Sequence, residues 1–515
     1  MANGKNKYGQ YMTPELITDF MVSLSQIKQN SKVLEPSSGQ GAFIKSLKNK
    51  GITNITSYEI DQSLISKADN TINADFVSEQ INTKFNLIIG NPPYIRWKNL
   101  EEELKENLQK NKLWSKYCNY LCDYSAIFIL KSVELLKEGG ELIFITPEYW
   151  LNTTHSLNLR NYLIENGYFK EIYHFNETPI FEKANVSTII FRFIKAKGST
   201  KENINVKKYF SSKKLTKDIL YNLKNNTLQP NSEYINIPQF KKDKRWLLVS
   251  DSIIKELKKF EGHCRTGDES ELYKIGDFCD IGNGLVSGLD KAFQLNSTNL
   301  TESENKYLIS VVKAKDLSPF FYNNITKYFF VNQIKNEEEL KQKCPSIYAH
   351  FQIYKKQLNK RYQYNRNIPY WEWVFLRNFK LFNNKDQRIF VPCKERISNK
   401  DYFRFALIEN NIFPTQDVTA IFKRKTTLES IYYILAFLNS KYVFDWLKYN
   451  GIVKGSIVEF SEKPISSIPF RKIDFSKKLD SQLHNNITNL TKTYLKSRDE
   501  NDLHKLNKEV NKLFI

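Results

Sequence analysis

The sequence predicts an α/β protein whose first half carries a doubly wound, mostly parallel sheet with an antiparallel edge. Three observations lead there. Phe85-Asn86-Leu87-Ile88-Ile89-Gly90 is a near-continuous apolar run, as in strands buried on both faces. Lys32-Val33-Leu34-Glu35 reads as an earlier strand that passes through the Gly-rich turn Pro36-Ser37-Ser38-Gly39-Gln40-Gly41 into a helix at Ala42-Phe43. Strand-like and helix-like segments then alternate as far as Phe193, the order that builds βαβ units.

The elements follow in chain order. Thr13 fits a helix cap and Pro14 a first helical position, ahead of the apolar stripe Leu16, Ile17, Phe20 and Leu24. After the strand and turn at 32–43 comes a second strand, Ile55 to Glu59, and a short segment, Asn73-Ala74-Asp75-Phe76. The run Phe85 to Gly90 is the next strand. The charged stretch Arg96 to Lys116 is read as a lid, with a solvated helix as the alternative. Tyr124 to Leu136 is a buried helix, stopped by Gly139-Gly140 before the strand Glu141 to Ile145. Lys170 to Phe175 and Val186 to Phe193 form a closing hairpin that supplies the antiparallel edge. Lys195 to Asp243 is polar and rich in Asn and Lys, and reads as a connector with short elements.

The chemistry concentrates at Asn91-Pro92-Pro93-Tyr94, directly after the central strand, where open α/β sheets place their ligands. Two prolines hold the backbone extended. An amide oxygen and a proline carbonyl can accept from an exocyclic amino group, and a tyrosine can stack on the ring that bears it. That suits a site holding a planar amine while its nitrogen attacks. A rigid strand-to-loop turn is the plainer alternative, but the neighbouring elements reduce it. The Gly39-x-Gly41 turn lets backbone approach a ligand at a helix amino end, and it lacks the third glycine of the dinucleotide fingerprint. Glu59, about 20 residues further on, stands where an acid accepts from ribose hydroxyls. Asp75 can accept from an adenine amino group, with Phe76 packed on the ring.

These residues resemble the TaqI-like, gamma-class N6-adenine DNA methyltransferases, which use S-adenosylmethionine and release S-adenosylhomocysteine. Tyr8-Gly9-Gln10-Tyr11-Met12-Thr13-Pro14-Glu15 is similar to motif X of that family, Val33 to Phe43 to motif I, and Tyr58-Glu59-Ile60-Asp61 to motif II. Ala74-Asp75-Phe76 resembles motif III, Asn91 to Tyr94 motif IV, and Phe181-Glu182-Lys183-Ala184-Asn185-Val186-Ser187 motif VIII. The resemblance implies a Rossmann-like methyltransferase sheet followed by a mixed α/β target-recognition domain. It implies that Tyr11 and Thr13 close on the methionine end of the cofactor, with Thr13 at the carboxylate. Glu35, Pro36, Gly39 and Gly41 would line the methionine and ribose end, Glu59 and Ile60 the ribose, and Asp75 and Phe76 the cofactor adenine, beside Asn91. Asn91, Pro92 and Tyr94 would hold the target adenine, with Phe181 sandwiching it from the far side.

The chain has 515 residues, enough for more than one core, and a formal net charge of +21, which suits a polyanionic partner although a Lys- and Asn-rich composition contributes to it. Its six cysteines are scattered, and the Cys118/Cys122 spacing makes no zinc pattern, so no metal is expected. No run approaches the roughly 18 apolar residues of a membrane span, and residues 1–7 open no signal peptide. A monomer in the cytoplasm of a prokaryotic cell is expected.

The expected domains are 1–240 for catalysis, 241–475 for target recognition, and 476–515 as a helical segment packing back on the protein. Ile281-Gly282-Asn283-Gly284-Leu285-Val286-Ser287-Gly288 resembles the opening of the recognition domain, and 451–469 its close. Aromatic and basic residues interleave between these. Trp371, Trp373 and Phe375 are read as core, and Arg96, Arg361, Arg366, Arg388, Lys394, Arg396 and Lys454 as contacts to double-stranded DNA.

The reaction expected is direct attack by an adenine N6 on the sulfonium methyl, after the base is flipped out. Pro392-Cys393 lies outside the first half, so cytosine ring-carbon chemistry is not expected. A fused nuclease ahead of the amino-terminal motif is not expected either, and the sequence leaves open whether a separate cognate restriction endonuclease accompanies the enzyme or it works as a solo methyltransferase. Protein-glutamine or RNA methyl transfer, and a non-catalytic DNA-binding subunit, are the alternatives.

Overall fold

The computed structural model describes residues 11–65, 70–181, 186–198, 200, 202–296, 299–397, 400–454 and 456–515. Tyr8, Gly9 and Gln10, Glu182 to Asn185, and the side chain of Lys454 lie outside the described residues. The chain divides into two compact units, Met1–Ile254 and Lys255–Ile515, and the division falls inside helix Asp251–Gly262.

The first unit runs α1 Glu15–Leu24, β1 Val33–Glu35, α2 Ala42–Asn49, β2 Ile55–Glu59, β3 Ile72–Asn73, β4 Phe85–Gly90, α3 Glu102–Lys110, α4 Lys112–Tyr117, α5 Ser125–Leu135, β5 Leu136–Pro147, α6 Leu157–Asn166, β6 Gly167–Asn176, β7 Thr188–Lys195, β8 Ile204–Tyr209, α7 Lys217–Lys224 and β9 Ser232–Ile237. Its nine strands form one mixed sheet in the order β3-β2-β1-β4-β5-β7-β6-β8-β9. Strands β3 to β5 are mutually parallel, and β7 is antiparallel to both of its neighbours. The chain steps outward from β1 to β2 and β3, then returns to β4 on the other side of β1. That reversal opens a crevice at the carboxyl ends of β1 and β4.

Period-two alternation sends side chains to opposite faces. Leu142 and Phe144 of β5 join a core with α5, while Ile143 and Ile145 join one with α1, α2 and α7. Helix α5 is buried along nearly its whole length, consistent with its apolar sequence.

Four expectations are corrected. Thr13 does not cap α1, because the helix begins one residue later than read, after Pro14, whose carbonyl accepts from Ile17 and Thr18. Gly139-Gly140 do not stop α5, which ends at Leu135. They lie in the irregular start of β5, where Gly139 takes a left-handed φ of +75°. The stretch 96–116 is no detached lid. It forms two amphipathic helices whose Leu104, Leu108 and Trp114 are buried in the core, with Trp97 stacked on Trp114. The short elements read in 195–243 are β8, α7 and β9, but they do not merely connect: the two strands widen the sheet. Trp246 stacks on Phe240 and packs on Trp150, which ties the chain into the first unit's core beyond residue 240.

The second unit is mixed α/β. It holds a four-stranded sheet (Cys279–Asn283, Val418–Lys423, Arg388–Pro392, Ala406–Ile408) and two three-stranded sheets. Gly284 is required by close approach, since a Cβ there would stand 2.1 Å from the Thr415 carbonyl oxygen. Trp371 and Trp373 are core residues, as read, whereas Phe375 is 37% exposed under the Arg366 guanidinium. The terminal helices Lys478–Ser497 and Glu500–Asn511 pack on each other and on Ile431–Leu438. No described helix is long and apolar enough to cross a membrane.

Candidate active site

A cleft opens at the carboxyl ends of β1 and β4. It brings together Tyr11, Thr13, Glu35, Pro36, Gly39, Glu59, Ile60, Asp75, Phe76, Asn91 and Pro92, residues drawn from separate motifs of the sequence. Gly41 does not line it but starts α2 from a left-handed φ of +80°. That helix has no side-chain cap, so its first N–H groups are available to a ligand.

The walls are built by short-range bonding. Gly39, at φ +52°, donates its N–H to Glu59 Oε2 at 2.7 Å, and Asp61 N–H donates to Glu59 Oε1 at 2.9 Å. The buried Glu59 carboxylate therefore braces the glycine turn. Each oxygen keeps a further lone pair for a ligand hydroxyl. Glu35, at the end of β1, is fully buried.

Just past β3, the strand that pairs with Glu59, Asp75 Oδ1 accepts from Val77 N–H at 3.0 Å, and Oδ2 accepts from the Ser78 hydroxyl at 2.5 Å. Phe76 packs on Phe128 with ring centroids 5.2 Å apart. Beneath it the buried Lys131 ammonium donates to the carbonyls of Phe76, Val77 and Glu79 and lies 4.8 Å from the Phe76 ring. Burial lowers the Lys131 pKa. Tyr124, read from sequence only as the start of a buried helix, also lines the cleft, and its hydroxyl reaches Asp75 Oδ1 at 3.4 Å.

Asn91 stands at the mouth of β4. Its Nδ2 donates to the Tyr11 carbonyl at 2.8 Å and to Thr13 Oγ1 at 3.0 Å. Its Oδ1 faces the Tyr94 hydroxyl, which also lies 2.7 Å from the Ile145 carbonyl. One phenolic hydrogen is thus shared between two acceptors. Burial holds the Tyr94 pKa well above the usual phenol range, and the nearby Asp123 carboxylate raises it further. Asp123 itself accepts from the Tyr149 hydroxyl at 2.5 Å, and burial raises its pKa. Sequence reading missed this carboxyl–phenol pair because its members lie on separate elements.

Phe181 is buried and meets Tyr94 edge to face, with centroids 6.4 Å apart at 69°. The expected sandwich is therefore not formed in this arrangement: no slot as thick as a base separates the rings. Tyr11 packs against both, at 5.8 Å from Tyr94 and 5.7 Å from Phe181.

The basic residues divide by burial. Arg96, Arg366, Lys394 and Arg396 are exposed, although Arg366 also donates to the Val374 carbonyl and Arg396 to Ser456 Oγ. Arg388 is corrected: it is 0% exposed, and its guanidinium donates to the carbonyls of Phe382, Asn384 and Asp386. Arg361 is corrected likewise. It donates to the carbonyls of Ser287, Pro369 and Glu372, and burial lowers its pKa to about 10. Both guanidinium groups hold the fold together.

Comparison with known proteins adds the following. Residues 16–181 match the family described as Eco57I restriction-modification methylase. The chain is 45% identical over 520 residues to the Type II methyltransferase M.HindII of Haemophilus influenzae, covering 99% of this chain and 98% of that one. It is 44% identical over 511 residues to the Type II methyltransferase M.HincII of Haemophilus influenzae, with the same coverage of 99% and 98%. Among solved structures, the Type IIL restriction-modification enzyme MmeI in complex with DNA superposes with a TM-score of 0.63. That match has 13% identity and covers 97% of this chain and 72% of that one, a likeness of fold.

Proposed function

The chain belongs to the Type II methyltransferases of restriction-modification systems, and from that premise we infer that it transfers the methyl group of S-adenosylmethionine to the N6 amino group of an adenine in double-stranded DNA. The observation that carries this reading is the Asn91 amide at the end of β4, its oxygen directed at a hydrogen-bond donor within an aromatic cluster. An amino N–H of the target would replace the Tyr94 hydroxyl as that donor.

The cleft suits the cofactor. The uncapped end of α2 and the Gly39 turn allow backbone to approach it, Glu59 offers lone pairs to a ribose diol, and Asp75 with Phe76 suits its adenine. S-adenosylmethionine, when bound, supplies an electrophilic methyl group. The remaining work falls to the chain's own side chains. The adenine nitrogen is a weak nucleophile because its lone pair is delocalised into the ring. Asn91 Oδ1 and the Pro92 carbonyl would take its two hydrogens and favour a pyramidal nitrogen as attack develops, stabilisation that grows toward the transition state. The base is flipped from the duplex at a cost of a few kcal/mol, and Tyr94 and Phe181 receive it once the three-ring cluster with Tyr11 opens.

The net charge of +21 supports a polyanionic partner. Target recognition is assigned to 241–475, with Arg96, Arg366, Lys394 and Arg396 as exposed contact candidates. The protein acts in the prokaryotic cytoplasm as the modification partner of a separate endonuclease.

Glu59→Ala and Asp75→Ala should each weaken S-adenosylmethionine binding by about tenfold or more, from lost hydrogen bonds to ionised groups of about 1.5–3 kcal/mol. Calorimetry checks this, and unchanged affinity in both variants would show both acids misassigned. The function itself is tested by incubating the protein with labelled S-adenosylmethionine and separate DNA, RNA and protein substrates. Label should enter DNA alone.

A further inference from the structure

The Asn91 side chain is held from outside its own loop. Ser37 Oγ donates to the Asn91 carbonyl at 3.1 Å, which pins the backbone. The side-chain amide is then gripped by the segment ahead of α1. A backbone carbonyl can only accept, so the amide end lying 2.8 Å from the Tyr11 carbonyl must be its nitrogen. Thr13 Oγ1, at 3.0 Å, takes the second amide hydrogen. With both donors engaged, the oxygen is directed at the place now filled by the Tyr94 hydroxyl. Turned the other way, the amide would meet an incoming amine donor to donor and would leave the Tyr11 carbonyl facing an oxygen.

We propose that Thr13 is a positioning residue for methyl transfer: together with the Tyr11 carbonyl, it fixes the Asn91 amide in the orientation that presents oxygen to the target amine. The proposal rests on Asn91 being the acceptor in the reaction proposed above. It gives Thr13 a task in the chemistry, distinct from the cofactor contact that family resemblance implied. It also explains how a residue two positions ahead of α1 bears on a base site formed at the ends of β4 and β5. The grip passes through a side-chain hydroxyl, which valine, of nearly the same shape, cannot supply.

The test compares wild type, Thr13→Val, Thr13→Ala and Thr13→Ser in single-turnover methylation at saturating DNA and S-adenosylmethionine. Cofactor affinity is measured by calorimetry on the same proteins, and a thermal melt confirms that each is folded. Thr13→Val and Thr13→Ala should slow the chemical step by ~10- to 100-fold, the scale of a misplaced reacting group. Cofactor affinity should change by less than about fivefold, the worth of one neutral hydrogen bond, since the grip is on Asn91. Thr13→Ser, which keeps the hydroxyl, should recover the rate. Rates equal to wild type in all three variants overturn the proposal. So does a tenfold loss of cofactor affinity with an unchanged rate at saturation, which would make Thr13 a cofactor ligand. A wild-type protein that leaves DNA adenine unmethylated in the same assay overturns the parent reading, and this proposal with it.

Discussion

Asn91→Ala should lower the single-turnover rate of methyl transfer by about 10³-fold, the scale seen when one preorganised hydrogen-bonding partner of a transition state is removed. The change deletes the acceptor facing the target amine, and nothing nearby replaces it, because Pro92 offers only its backbone carbonyl. Cofactor affinity should fall by no more than about 30-fold, far less than the rate. The bonds lost on the cofactor side are those to the Tyr11 carbonyl and Thr13 Oγ1, and each neutral bond contributes about 1 kcal/mol. Single-turnover assays beside calorimetry separate the two effects. Near-normal turnover by a folded variant would remove Asn91 from the chemistry.

The largest stability effect is expected at Arg388. Its guanidinium is buried against three backbone carbonyls and lies 4.8 Å from the Phe422 ring. Arg388→Ala leaves those carbonyls without a donor and opens a cavity, a combination that costs about 3–5 kcal/mol. For a unit of this size that lowers the melting temperature by about 6–20 °C. DNA affinity of the folded fraction should be unchanged. A variant that melts like wild type but loses DNA affinity would restore Arg388 as a contact residue. Calorimetric melting and duplex binding decide between the two.

The legible and illegible parts of this chain differ for physical reasons. The strands Phe85–Gly90 and Ile55–Glu59 have the bounds read from sequence, because their apolar patterns end at residues that break the pattern. The cleft was legible through Gly39, Glu59, Asp75 and Asn91, since a glycine turn and acids at strand ends carry their meaning in their spacing. Ile204 to Tyr209 was read only as part of a connector with short elements, not as a strand of the sheet, because it includes two lysines. Their charges are answered inside the sheet by Glu171 and Glu233, partners that no local window contains. Arg388 and Arg361 failed for the same reason: the carbonyls that bury them come from the folded backbone. The Tyr11–Tyr94–Phe181 cluster joins three distant motifs, and only the fold packs a tyrosine against both rings expected to hold a base.

The central claim, methyl transfer to adenine N6 in duplex DNA, is tested most directly by identifying the product. DNA methylated by the purified protein with labelled S-adenosylmethionine is digested to nucleosides, and the labelled nucleoside is identified by mass spectrometry. Long-read sequencing of the same DNA locates the modified positions. The account predicts label in N6-methyladenine alone, at one recurring sequence. Label in a methylated cytosine, or in RNA or protein in place of DNA, would contradict it.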